Sequence, residues 1–125
     1  MVSAQEGGLK IKITINKSTV ATGKLEGSET AQEFAALLPL SLTLEDYSKT
    51  EKISDLPKKL TTKGAPAAIT PKSGDIAFYA PWGNLAIFYR DGHHSPGLVK
   101  LGEIISNAEA FNVSGSLSVT IEASK

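Results

Sequence analysis

Hydrophobic and polar residues alternate along much of the chain, a pattern that predicts short β-strands. Over residues 9–15, Leu and Ile alternate with Lys and Thr, which is typical of a strand with one buried face. Residues 16–18 have the composition of a hairpin turn, and residues 20–25 form the predicted return strand. The hydrophobic positions change face within this second strand, so Gly23 predicts a β-bulge there.

One segment has the period of an α-helix instead. Its apolar residues recur at spacings of three and four and form a single stripe; they are Ala31, Phe34, Ala35 and Leu38. Ser28 or Thr30 can cap the first turn, and Pro39 ends the run because the residue before a proline is pushed out of the helical region. The sequence therefore predicts one main helix over about residues 28–38.

Alternation or a short apolar run predicts five further strands, at residues 40–44, 76–80, 85–89, 98–104 and 117–121. The segments 76–80 and 85–89 are apolar on both faces, as expected for strands covered from both sides. Residues 48–68 are interpreted as an irregular loop, and residues 107–111 as one helical turn. Because a single helix cannot cover both faces of a large sheet, we predict an all-β fold, a closed barrel plugged at one end by the helix.

The length and composition limit the kinds of protein that this chain can be. With 125 residues, of which 41% are hydrophobic, it has room for one domain, which we place at residues 9–123. Without cysteine it forms neither disulfides nor a zinc–thiolate site. Thirteen Lys and Arg residues balance thirteen Asp and Glu residues, which argues against a nucleic-acid partner. No apolar run approaches ~18 residues, so we expect no membrane insertion.

Residues 1–8 contain neither the basic start nor the apolar stretch of a signal peptide, and they predict a flexible tail. We expect a cytoplasmic location by default; an exported protein from which a signal peptide has been removed is the alternative. The lack of cysteine does not decide between them, because exported bacterial proteins can also lack it. The sequence does not indicate an oligomeric state.

The rare side chains of this chain are crowded into one short segment. Residues 78–94 hold the only Trp, the only Arg, both His and five of the eight aromatic residues. One interpretation is a pocket with aromatic walls and with Arg90 and His94 at its rim. The other, which the residues favour, is that aromatic side chains simply suit two central strands. Since neighbours on a strand face opposite sides, at most half of the aromatic residues can line one cavity.

Other chemistries find weaker support. His93 and His94 are adjacent and no third His exists, so a solvated loop is favoured over a metal site. Ser95 lies near His93 and Asp91, but no Gly-x-Ser-x-Gly turn presents it as a nucleophile. Glycine-rich phosphate loops are missing as well. We therefore predict no metal and no cofactor.

A series of segments along the chain carries a family resemblance. In order they are the helix ending Leu37-Leu38-Pro39, residues 40–44, Glu51-Lys52, Leu56-Pro57, Leu60, residues 71–79, Pro81, Gly83-Asn84, Phe88-Tyr89 and Leu101-Gly102-Glu103-Ile104. Over about residues 9–122 this order resembles the bacterial and archaeal cyclophilin-like domains, whose function is uncharacterised. The resemblance implies a closed β-barrel of about eight strands. The Phe-His-Arg signature of the isomerase cyclophilins is absent, since no His precedes Arg90.

These observations lead to one functional prediction and two alternatives. We predict a non-catalytic module that binds a peptide or small molecule at an aromatic face, with the 48–68 loop on its rim. The candidate binding residues are Glu51, Tyr79, Trp82, Phe88, Arg90 and His94. The first alternative is a divergent peptidyl-prolyl isomerase in which Arg90 donates to the peptide amide. The second is an accessory or protein-interaction domain without a pocket.

Overall fold

Eight antiparallel strands close into a barrel in the computed structural model, which describes residues 8–124. The barrel strands are β1 (Leu9–Ile15), β2 (Thr19–Leu25), β3 (Leu40–Tyr47), β4 (Glu51–Asp55), β6 (Asp75–Tyr79), β7 (Asn84–Phe88), β9 (Leu98–Ser106) and β10 (Leu117–Ala123). Around the barrel they follow the order β1-β10-β3-β4-β7-β6-β9-β2. The closed all-β barrel predicted from the sequence is thereby confirmed. The tail predicted for residues 1–8 lies outside the described residues, apart from Gly8.

Three short elements complete the described chain. They are the helix α1 (Glu29–Ala35), a 3₁₀ helix at Ala108–Phe111, and a two-stranded sheet formed by β5 (Ala68–Ile69) and β8 (Ser95–Pro96). No helix within residues 8–124 has the length and apolar character needed to cross a membrane.

The first hairpin follows the hydrophobic pattern closely. Ile11, Ile13 and Ile15 are buried inside the barrel, while Lys10 and Lys12, which alternate with them, are exposed. The turn places Asn16 and Lys17 at φ 50° and 66°, the left-handed geometry of a tight hairpin. The pairing of β2 with β9 shifts register between Thr22 and Gly23, which confirms the predicted bulge.

The helix begins as predicted but ends earlier. Ser28 is the N-cap, and its hydroxyl accepts a hydrogen bond from the Ala31 N–H at 3.2 Å. Thr30 is not a cap; it is buried in the first turn and donates to the Thr61 carbonyl at 2.7 Å. The prediction that the helix extends to Leu38 is wrong, because residues 37 and 38 already form tighter i→i−3 bonds before Pro39.

The prediction of an irregular loop over residues 48–68 is wrong for residues 51–55, which form β4 between β3 and β7. The pattern of this strand is inverted: Lys52 points into the barrel and is fully buried, while Ile53 faces outward. Because a lysine occupies an interior position, the strand lacks the alternation of apolar and polar residues on which strand prediction depends.

Two apolar layers lie on opposite faces of β6 and β7. Phe78, Leu85 and Ile87 face the interior and join the main core, which also takes Phe34 from α1. A second cluster lies on the outer face and comprises Ala77, Ala86, Phe88 and Leu98, with Ile53, Ile69 and Tyr79 packed against it. This arrangement confirms that both strands are covered from both sides. It also places a cluster of apolar side chains on the outer face of the barrel.

Candidate functional site

A cleft of about 270 Å³ opens on the outer face of the barrel; we call it the outer cleft. Its lining comes from the end of β3 and the turn after it, from β4, β6, β7 and the β6–β7 turn, from the start of β9, and from residues 91–93 and 95. The strand register explains why distant residues meet here. Glu51 of β4 lies opposite Phe88 of β7, and Asn84 of β7 lies opposite Tyr79 of β6.

Aromatic rings form one wall of the outer cleft. Trp82 packs edge-to-face against Tyr47, with ring centroids 5.5 Å apart, and against Tyr79 at 5.3 Å. Phe88 lines the cleft as part of the outer apolar cluster. Trp82 is nonetheless 54% exposed, so it stands at the edge of the cleft and not over the barrel core. Tyr and Trp are enriched at interfaces, and exposed apolar patches often mark binding sites.

Glu51 is the carboxyl that lies among these rings. It is half-buried, lines the outer cleft, and has no hydrogen bond or ion pair with any side chain of residues 8–124. Burial raises the pKa of Glu51 to about 7, because removal from water disfavours the carboxylate. Near neutral pH this side chain therefore exists in both its neutral and its charged form.

Asn84 supplies the second unusual polar group. Its side chain lines the outer cleft and is only 3% exposed, yet its Oδ1 has no hydrogen-bond partner among residues 8–124. A buried polar atom without a partner costs free energy, and native structures contain few of them. The cleft face of β7 thus carries a buried side chain whose acceptor is unpaired within the described residues.

The loop after β7 forms the opposite rim. Gly92 fits closely there, since a Cβ at this position would lie 2.8 Å from Cγ of Pro71 and 3.0 Å from Cε2 of Phe88. Asp91 accepts a hydrogen bond from the Ser73 N–H at 2.8 Å. Ser95 donates to the backbone carbonyl of His93 at 2.8 Å, so its hydroxyl is engaged with the backbone and not with an imidazole. This geometry does not activate a serine nucleophile.

Four of the six residues proposed from the sequence come together in the outer cleft: Glu51, Tyr79, Trp82 and Phe88. Arg90 is exposed and lies outside the lining. His94 is also exposed and outside it, and its Nδ1 shares a hydrogen bond with the Thr70 hydroxyl at 2.8 Å. The aromatic residues of segment 78–94 are therefore divided between two places, as strand parity predicts. Phe78 and Tyr89 pack with the main core, and the other three line the outer cleft.

Sequence reasoning missed Tyr47 and Asn84. Tyr47 lies far from the aromatic cluster along the chain and reaches Trp82 only through the pairing of β3, β4 and β7. Asn84 did carry a signal, since it is the polar residue at the start of an otherwise apolar strand. Its orphaned acceptor is visible only in the structure.

A separate network lies on the interior side of β4. The Lys52 ammonium donates to the carbonyls of Val113 and Gly115, both at 2.6 Å, and lies 3.2 Å from Asp46. The Tyr89 hydroxyl donates to Asp46, which lowers the pKa of that carboxyl. Burial, together with Asp46, raises the pKa of Tyr89 to about 12. This network fixes the β3–β4 hairpin that carries Tyr47 and Glu51.

Within residues 8–124, no three His, Cys, Asp or Glu side chains gather as they do around a bound metal. The side chains that line the outer cleft thus carry aromatic rings together with carboxyl, amide, hydroxyl and imidazole groups. An eight-stranded closed barrel with an aromatic cleft on its outer face is the class of protein that the fold and this geometry define.

The comparisons with known proteins name the family. The model of the cyclophilin-like family matches residues 13–122, so the chain belongs to that family, as its resemblance implied. It is also similar to the solution structure of a hypothetical protein from Archaeoglobus fulgidus, with a TM-score of 0.64 and 18% identity. That match covers 94% of this chain and 96% of the other, and at this identity it concerns the fold alone. No match was found among the curated proteins.

Proposed function

We propose that the protein is a binding module that takes a small molecule or a short peptide segment in the outer cleft. The observation that carries this proposal is the exposed Trp82, held by Tyr47 and Tyr79 at the edge of a concave surface. A folded chain normally covers such a large apolar side chain, and aromatic residues at the edge of a cavity often contribute most of the binding free energy. The cleft argues against the alternative of an accessory domain without a pocket.

Binding without catalysis is the better-supported form of this function. The isomerase alternative uses Arg90 as the donor to the peptide amide, but Arg90 is exposed and outside the cleft lining. Hydrolysis by Ser95 is disfavoured too, because its hydroxyl donates to the backbone carbonyl of His93. What the cleft does offer is apolar area and two polar groups without side-chain partners among residues 8–124, the Glu51 carboxyl and Asn84 Oδ1.

The test is a binding screen read by NMR. A library of small organic molecules and short peptides is titrated into ¹⁵N-labelled protein, and the amide shifts of residues 47–53, 79–84 and 88–98 are followed. We expect at least one ligand that shifts these amides with a Kd below about 1 mM. Trp82→Ala weakens this binding about tenfold or more, since it removes an exposed aromatic wall.

The matched control is Ile105→Ala, because Ile105 is 60% exposed and does not line the cleft. It removes a similarly exposed apolar side chain and leaves the affinity unchanged. Failure of every library member to shift the cleft amides at millimolar concentration refutes the proposal. Equal loss of affinity in both variants does so as well.

A further inference from the structure

The charge of the outer cleft differs from that of the whole chain. The chain as a whole is neutral, with thirteen basic and thirteen acidic residues. Glu51 and Asp91 line the cleft, and among residues 8–124 His93 is the only basic side chain in the lining, since no Lys or Arg belongs to it. Lys52, the neighbour of Glu51, points into the barrel on the other face of β4. The local charge therefore favours a cationic ligand over an anionic one.

The aromatic wall favours the same charge. The faces of Trp and Tyr rings carry negative electrostatic potential and attract cations that lie within about 6 Å of the ring centroid. Tyr47, Tyr79, Trp82 and Phe88 all line the cleft that holds the Glu51 carboxyl. The rings also provide apolar area for the carbon chain of an organic ligand. A hydrated metal ion would not use that area, but an organic cation does.

The Asn84 amide indicates which kind of cationic group the ligand carries. Its side chain lines the cleft, and its buried Oδ1 has no partner among the described residues, so a ligand that reaches this atom gains by donating an N–H to it. Primary ammonium and guanidinium groups carry N–H donors, whereas a quaternary ammonium carries none. The three observations are independent of one another, since charge, ring faces and an orphaned acceptor come from different residues.

We propose that the ligand of the outer cleft is an organic cation with N–H donors, a primary ammonium or a guanidinium group on an apolar chain. Glu51 provides the opposite charge, the aromatic rings cover the chain and the cation, and Asn84 Oδ1 accepts one N–H. This inference rests on the proposed function and names its ligand class. The cation is either the side chain of a Lys or Arg residue in a peptide or a free amine.

Two matched pairs of probes test the inference. N-acetyl-lysine methylamide is compared with N-acetyl-norleucine methylamide, which has the same backbone and a similar aliphatic chain but no ammonium. Pentylamine is compared with 1-pentanol in the same way. We expect each cation that binds to shift the cleft amides with a Kd at least about tenfold below that of its neutral partner. Binding of the lysine derivative alone identifies a peptide as the source, and tighter binding of pentylamine identifies a free amine.

Glu51→Gln is the decisive variant, because it keeps the shape of the side chain and removes its charge. We expect it to reduce affinity for the cationic probe about tenfold and to leave the neutral probe unaffected. Glu109→Gln is the matched control, since Glu109 is exposed and its carboxyl forms no hydrogen bond or ion pair with another described side chain. It is expected to change neither affinity.

The inference and the proposed function fail in different ways. If the norleucine derivative binds the cleft as tightly as the lysine derivative, or if Glu51→Gln leaves the affinity for cations unchanged, the inference is overturned and the binding module stands. If no cation shifts the cleft amides while the library yields neutral ligands there, the outcome is the same. If neither the probes nor the library shift them, both are refuted.

Discussion

Of the four buried polar residues described in this barrel, three form hydrogen bonds through their side chains and one has an acceptor without a partner among residues 8–124. Thr30, Lys52 and Asp75 are buried and satisfied: Thr30 donates to a carbonyl, Lys52 to two carbonyls, and Asp75 accepts from the Lys72 N–H at 2.9 Å. Asn84 is as buried as these residues, but its Oδ1 has no partner among residues 8–124. Since the fold bonds the other three, the unpaired acceptor of Asn84 supports the proposal of a ligand with an N–H donor.

Replacement of Asn84 by Leu tests whether the Asn84 amide contributes to the stability of the fold. The two side chains are similar in shape, and the change removes a buried acceptor that has no partner. We expect the free energy of unfolding to rise by about 1 kcal/mol, because an unsatisfied buried polar group costs about 1–3 kcal/mol. Urea denaturation measures this change. A loss of stability instead of a gain means that the amide has a structural role.

The pH dependence of stability follows from Glu51. Its folded-state pKa of about 7 lies above the ordinary value of 4.5, because burial disfavours the charged form. Between these values the folded state binds more protons than the unfolded state, so this contribution to stability is complete below pH 4.5 and is lost as pH rises through 7. The other titratable groups that line the cleft are Tyr47, Tyr79, Asp91 and His93.

Glu51→Gln isolates this contribution. Since glutamine does not titrate, we expect the variant to be more stable than the wild type at pH 8 and to lose that advantage at pH 4.5. Urea denaturation of both proteins at the two pH values gives the difference directly. A difference in stability that does not change with pH contradicts the assignment of the raised pKa to Glu51.

At the scale of elements, the hydrophobic pattern predicts those strands whose interior positions are apolar. Residues 9–15 and 117–121 are of this kind, and the structure has strands there. β4 could not be predicted in this way, because its interior position is Lys52. Only tertiary contacts, with the carbonyls of Val113 and Gly115 and with Asp46, make this position suitable for a lysine.

Lys52→Ala tests how far β4 depends on that network. It leaves two carbonyls and Asp46 without their cation, and we expect a loss of about 3 kcal/mol or more in the free energy of unfolding. Lys12→Ala is the matched control, because the Lys12–Glu122 pair is exposed at 3.9 Å and such pairs contribute about 1 kcal/mol or less. Equal losses in urea denaturation show that the buried network does not stabilise β4.

At the scale of the whole molecule, the sequence predicts a closed barrel but only part of the candidate site. Strand parity places Phe78 and Tyr79 on opposite faces of one strand, and Phe88 and Tyr89 on opposite faces of the next, as the structure has them. The meeting of Tyr47 with Trp82 depends on strand order and on turns, which periodicity does not encode. Arg90 was grouped with the site by its proximity along the chain, yet it is exposed outside the cleft.

The position of Arg90 makes a prediction for isomerase activity. Because neither Lys nor Arg lines the cleft among residues 8–124, we expect proline-peptide isomerisation to proceed at the uncatalysed rate with both the wild type and Arg90→Ala. A protease-coupled peptide assay measures both rates. Acceleration by the wild type that disappears in Arg90→Ala supports the isomerase alternative and contradicts a purely binding role.

The structure of the protein bound to N-acetyl-lysine methylamide shows whether the outer cleft holds an organic cation. We expect the ammonium nitrogen about 2.9 Å from Asn84 Oδ1 and within about 6 Å of an aromatic ring centroid, with the Glu51 carboxylate beside it. An ammonium that points into solvent, or a probe bound elsewhere on the barrel, contradicts the proposed ligand class.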